Sequence, residues 1–254
     1  VALGHNCLSA NTTANHNTAL GNKCLESNTT GASNTAVGDS ALNSNTTGND
    51  NTANGRNALE GNTTGDSNTA VGHSSMLLNT TGDNNVSMGY FALEKNTTGD
   101  KNTAIGFECM LSNTTANLNV AVGSEAFKSN TTGTQNVAVG AFALDGNTTG
   151  TENTCVGYAA LDVVTTTHRN TAMGHLALQN TSGTQNTGFG WRTGRTISSG
   201  SNNLLLGGDA GNAGSPSGEI TTGSNNVVLG DNNISNLFCA DTSISSSDSR
   251  DKTD

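Results

Sequence analysis

The sequence predicts an all-β chain wound as a parallel β-solenoid, or β-roll, with 17-residue coils. Three observations carry that prediction. The tripeptide Asn-Thr-Thr recurs every seventeen residues, at Asn11, Asn28, Asn45, Asn62, Asn79, Asn96, Asn113, Asn130 and Asn147. Counting that Asn as position 1, position 7 is Asn and position 11 is Gly in every copy. Between these markers the apolar runs last two to four residues, too short for a helix and suited to a short strand.

Each part of the coil has its own chemical reason. Asn-Thr-Thr-Gly makes a corner, because Asn caps turns and tolerates left-handed backbone, while paired Thr and Gly resist helix. Position 7 (Asn34, Asn68, Asn102, Asn136) stacks the same amide on successive coils, so it predicts a ladder along the axis. Positions 8–10, Thr-Ala-Val at 35–37, form a strand, and position 10 is large and apolar in every copy but the one with Asn54. The invariant glycine (Gly38, Gly72, Gly106, Gly140) suits a second corner with positive φ. Positions 14 and 15 read small then large, as in Ala41-Leu42 and Ala126-Phe127, which predicts a second short strand. Fourteen such glycines imply one coil each, and at roughly 4.8 Å per coil a rod of roughly 67 Å.

Residues 1–196 hold the regular repeats, with the copy at 164–179 one residue short. Residues 197–236 form irregular terminal coils with an insertion around "GNAGSPSGE", and residues 237–254 abandon the repeat. The chain opens in mid-repeat on "VALG" without an initiator Met, as a fragment or processed product would.

Charged residues make up 12% of the chain, aromatics 4%, and the net charge is −10. Low charge with few aromatics also marks disorder, but disordered chains do not hold apolar residues in register. The densest basic stretch, His168, Arg169, His175, Arg192 and Arg195, is too sparse for nucleic acid. No apolar run is long enough to enter a membrane as a helix. Within a strand, positions 8 and 10 face one way and position 9 the other, and both faces are uncharged. Strands apolar on both faces are usually covered on both. A second and third copy of the chain would supply the outer cover, with Ala at positions 9 and 14 allowing close approach, so a homotrimer is expected.

The strand motif "NTAVGxxAL" resembles the repeats of the head β-rolls of trimeric autotransporter adhesins, although the period here is longer. The fuller "NTTGxxNTAVGxxAL" is similar to repeats that precede the C-terminal chaperone of phage and algal-virus tail fibres and related bacterial surface proteins. This likeness covers about residues 1–236. It implies a structural, non-enzymatic, homotrimeric shaft, extracellular, on a cell surface or on a virion, able to join end to end. It leaves open an adhesin whose solenoid face itself binds a cell-surface glycan or receptor. The tail "SDSRDK" at 247–252 resembles the opening of the endosialidase-type intramolecular chaperone. That resemblance implies a single self-cleavage just before Ser247, with Ser247 as nucleophile and Lys252 as the base that takes its proton.

Other candidate sites are weaker. Asn-Thr-Thr is also an N-glycosylation sequon, repeated at all nine regular positions and continued by Asn180 as Asn-Thr-Ser. A eukaryotic host would glycosylate at least some of these; otherwise the tripeptide is corner chemistry. Cys7, Cys24 and Cys109 at position 14 and Cys155 at position 9 read as small buried hydrophobes, and Cys239 as an interchain bridge. His73 and His175 share position 12 and read as surface residues. No metal-ligand spacing, acid pair or cofactor motif appears. Trp191, Arg192 and Arg195 break the small-then-large pattern, either as a sugar-contacting patch or, preferably, as a local packing change.

Overall fold

The computed structural model describes residues 1–215 and 217–235. They form a parallel β-solenoid built on one sheet. Fourteen short strands, from β1 (Ala2–Leu3) and β2 (Thr18–Leu20) to β14 (Val227–Leu229), pair in strict sequence order. Each coil adds one parallel strand in register. Ala36 of β3 (Thr35–Val37) stands opposite Ala19 on one side and Ala53 on the other. The seventeen-residue repeat in sequence is therefore the coil in space, and each coil touches only its neighbours.

Position 11 shows why glycine is invariant there. Gly38 has φ +132°, a region that side chains avoid, and a Cβ on it would lie 2.5 Å from the carbonyl oxygen of Gly55 in the next coil. Position 4 differs. Gly65 is equally crowded, at 2.5 Å from the Gly82 oxygen, but its φ is not positive. Ala116 fills that position in another coil, 1% exposed.

The expected second strand does not form. Residues 38–44 are turn, with left-handed backbone at position 13 (Ser40, φ 57°) and position 15 (Leu42, φ 51°). Two left-handed residues destroy the pleat, yet axial hydrogen bonding continues. Leu42 N–H donates to the Ala58 carbonyl at 3.0 Å and Ser40 N–H to the Asn22 carbonyl at 2.9 Å. A bulky residue in this conformation costs roughly 1–2 kcal/mol. Fully burying a Leu contributes about 1.5–3 kcal/mol, so burial offsets the strain. Leu42, Met76, Leu93, Phe127 and Leu144 all sit in this turn and are all fully buried.

The orientation of the coil corrects a second expectation. Alanine at positions 9 and 14 does not face a partner chain; Ala36, Ala41, Ala104, Ala121 and Ala126 are 0% exposed inside the coil. A seventeen-residue coil encloses little space. Only small side chains fit from the strand when Leu, Met or Phe enters from the opposite turn. The larger residues of positions 8 and 10 therefore point outward.

Candidate functional site

Four features could carry function: two buried amide ladders, an outward sheet face and a cluster in the last coils.

The first ladder is at position 7. The side-chain oxygen of Asn17 accepts from the backbone N–H of Asn34 at 2.8 Å, and the Asn34 oxygen accepts from Asn51 N–H at 2.9 Å. The Asn34 amide nitrogen donates to the Gly48 carbonyl at 2.8 Å. Asn68, Asn102 and Asn136 repeat this geometry, so each amide ties its own coil to the next through both ends. Asn34, Asn68, Asn102 and Asn136 are 0% exposed, and buried amides are tolerable because they are paired.

The second ladder runs through the sequons. Asn45 Nδ2 donates to Asn28 Oδ1 at 2.8 Å and to the Gly48 carbonyl at 3.0 Å. Asn62 and Asn79 do the same to the coil before each. So do Asn96, Asn113 and Asn130. Asn28, Asn45, Asn62, Asn79, Asn96, Asn113, Asn130 and Asn147 are all 0% exposed. A sugar attached at Nδ2 would replace an amide hydrogen that the fold uses, inside a filled interior. In the folded coil these eight amides are enclosed and hydrogen-bonded. Asn11, in the first coil, is exposed.

Asn180 does not continue the series. Thr181 N–H bonds the Leu178 carbonyl at 3.1 Å, as Asn28 N–H bonds that of Leu25 at 3.2 Å. Thr181 is buried in the ladder position, while Asn180 lies outside it, exposed. The residue missing from the period therefore falls in the corner after Thr181, rather than before Asn180. In the last coils Val164, Thr181, Ile197 and Ile220 replace the position-1 amides, and the polar ladder gives way to an apolar one.

Sequence reasoning read position 1 as a corner and missed this ladder. A signal was present. A sequon leaves its middle residue free, yet Thr occupies it in all nine copies. That residue bonds along the axis. Thr46 Oγ1 donates to the Thr63 carbonyl at 2.9 Å, and Thr63 Oγ1 to that of Thr80 at 2.9 Å.

The outward sheet face carries positions 8 and 10. Leu20, Met88, Ile105, Phe189, Leu206 and Leu229 are 36–44% exposed along it, with Val120, Leu204 and Val227 beside them. An apolar strip thus follows position 10 along the sheet, broken at Asn54. Position 12 adds an aromatic ladder that the sequence reading passed over. His73 stacks on Tyr90 at 5.2 Å between ring centroids, and Tyr90 on Phe107 at 5.7 Å; Tyr158 and His175 stack at 5.3 Å. His175 is exposed, but His73 is half-buried, with Nδ1 enclosed and unpaired.

The thiols are chemically quiet. Cys24, Cys109 and Cys155 are buried and unpaired, and burial pushes each thiol upward, that of Cys109 to about 12. Lys128 bridges Glu108 at 2.7 Å and Glu125 at 2.8 Å. Asp145 stands near this trio with one oxygen buried and unpaired; burial first, then Asp162 one coil on, raises its carboxyl to about 6. Among the described residues no group of three His, Cys, Asp or Glu side chains could hold a metal ion, and no helix is long and apolar enough to cross a membrane. Ser247, Lys252 and Cys239 lie outside the described residues. Comparison with known proteins returned no matching family model, no matching curated protein and no matching solved structure.

Proposed function

We propose that the chain is the shaft of an extracellular fibre on a cell surface or virion, a non-enzymatic spacer in which three copies associate through their sheet faces. The observation that supports this reading is the outward apolar strip at position 10, which only Asn54 interrupts. At roughly 100 Å² per coil, the strip offers on the order of 1,000 Å² per chain, against about 800 Å² per partner in a standard interface. The axial ladders suit a spacer, since they make every coil a copy of the last and resist bending. A C-terminal segment that cleaves itself once at Ser247, with Lys252 as base, belongs to the same proposal.

Light scattering on the purified chain tests the association. Three copies are expected, and Val122→Glu with Val139→Glu, both on the strip, should give a folded monomer. A wild-type monomer at micromolar concentration would remove the shaft interface. The second reading, an adhesin whose sheet face binds a glycan or receptor directly, is favoured by the outward threonines Thr35, Thr52, Thr69 and Thr103, which place hydroxyls on that face. A monomer that binds cells through this face would establish it instead.

A further inference from the structure

The regular coil fails where residues 197–219 insert extra chain, so that β13 (Leu204–Leu206) pairs with β14 across twenty-three residues. Beside this insertion an open cavity of about 480 Å³ lies among Arg192, Arg195, Asn180, Asn212, Asp209 and Asp231. That volume is in the range of small-molecule sites. Its lining comes from the turn half of the coil and from the insertion, so covering the sheet face leaves it open.

The cavity is unbalanced in its hydrogen bonding. Its acceptors are engaged. Asp209 accepts from Asn212 Nδ2 at 2.9 Å, and Asp231 accepts from Asn233 through N–H at 3.0 Å and Nδ2 at 2.7 Å. Asn212 also donates to the Arg192 carbonyl at 2.6 Å. The guanidinium groups are not used up. Arg192 Nε is buried without a hydrogen bond but is ion-paired with Asp209 at 3.5 Å, and Arg195 commits only Nε, to Gln179 at 3.1 Å. Among the described residues no hydrogen bond engages the terminal nitrogens of either arginine. Arg192 is held in place from the other side, its guanidinium 4.7 Å from the centre of the Trp191 ring.

Two planar forks with free donors, facing a cavity whose carboxylates are already occupied, call for a planar oxyanion. We propose that this cavity binds a carboxylate-bearing saccharide, a sugar acid. Arg192 and Arg195 grip the carboxylate, and the exposed Asn180 amide, whose Nδ2 is tied to the Arg195 carbonyl at 2.9 Å, offers its oxygen to a ring hydroxyl. The proposal concerns one chain and is independent of how many chains associate.

The test is calorimetric titration of the purified chain with glucuronate, glucose and inorganic phosphate. Glucuronate should bind at least tenfold more tightly than glucose and more tightly than phosphate. Arg192→Lys together with Arg195→Lys keeps the charge but removes the forks, and should weaken glucuronate at least tenfold with an unchanged circular dichroism spectrum. Arg169→Lys, outside the cavity, should leave binding as it was. Equal affinity for glucose and glucuronate, phosphate binding as well as glucuronate (an adventitious ion only), or no binding to the wild type overturns the proposal. If the double variant misfolds, the wild-type selectivity series decides alone.

Discussion

Asn62→Asp is the sharpest probe of the sequon ladder, because it changes one NH2 for one oxygen and almost nothing in shape. Asn62 Nδ2 donates to Asn45 Oδ1 at 2.8 Å and to the Gly65 carbonyl at 3.0 Å, with the residue 0% exposed. Aspartate keeps the acceptor that Asn79 uses at 2.8 Å but loses both donations. Each lost bond forfeits about 0.5–1.5 kcal/mol; the Gly65 carbonyl still accepts from Asn51 Nδ2 at 2.8 Å, so Asn45 Oδ1 is the one acceptor left bare, at a cost of about 1–3 kcal/mol. The expected loss is thus about 2–6 kcal/mol, with a buried charge opposing any recovery. The sign with pH is also fixed. A buried carboxyl with no cation beside it has a raised pKa in the folded state, so its penalty grows as pH rises. Urea denaturation followed by circular dichroism should show a large deficit against wild type at pH 7 that shrinks toward pH 4, where the protonated carboxyl restores one donor. Asn11→Asp, at the exposed start of the ladder, should cost under about 0.5 kcal/mol. A deficit at pH 7 as small as that of Asn11→Asp, or one that ignores pH, would refute the ladder as a source of stability.

Other predictions use different parts of the coil. Gly72→Ala combines φ +125° with a Cβ 2.6 Å from the Gly89 oxygen, so it should lower stability by more than about 3 kcal/mol, whereas Gly65→Ala should cost less, as Ala116 implies; thermal melts of the two compare them. Chain expressed in a eukaryotic secretory host should carry no sugar at Asn28, Asn45, Asn62, Asn79, Asn96, Asn113, Asn130 or Asn147. Peptide mass spectrometry reads this out, and high occupancy at any of them in folded material would contradict the ladder geometry. Asp145 has a folded-state pKa of about 6, above its unfolded value near 3.8, so its contribution to stability is fully present below pH 4 and is lost as pH rises to 6. Asp145→Asn should therefore gain on wild type across that window, modestly, because the half-exposed carboxyl is screened by solvent; no change in relative melting temperature between pH 4 and 7 would count against it.

Much of the fold was legible because a solenoid writes its geometry in its period. The seventeen-residue spacing set the coil length and strand register, and the unbroken glycine marked a backbone that no side chain could adopt. The turn at positions 13–15 was not legible. Ala41-Leu42 has strand-like patterning, and nothing local announces that Leu42 is left-handed; burial of its side chain against the facing alanines decides that. The cavity beside Arg192 was half legible. Sequence marked Trp191, Arg192 and Arg195 as a break in pattern, but the free guanidinium ends exist only because the insertion after Asn212 opens a space beside them.

By itself, the sequence determined that this chain repeats, at what period, and which residues stack on which, because identical positions in successive coils must coincide. It could not determine which side of each strand is the inside, since both sides are uncharged. Only the closed coil decided that, by leaving room for alanine alone across from Leu and Phe. The same closure placed the Asn-Thr-Thr amides: from Asn28 to Asn147 they are enclosed, and those of Asn45 through Asn130 donate their hydrogens within the coil and along the axis.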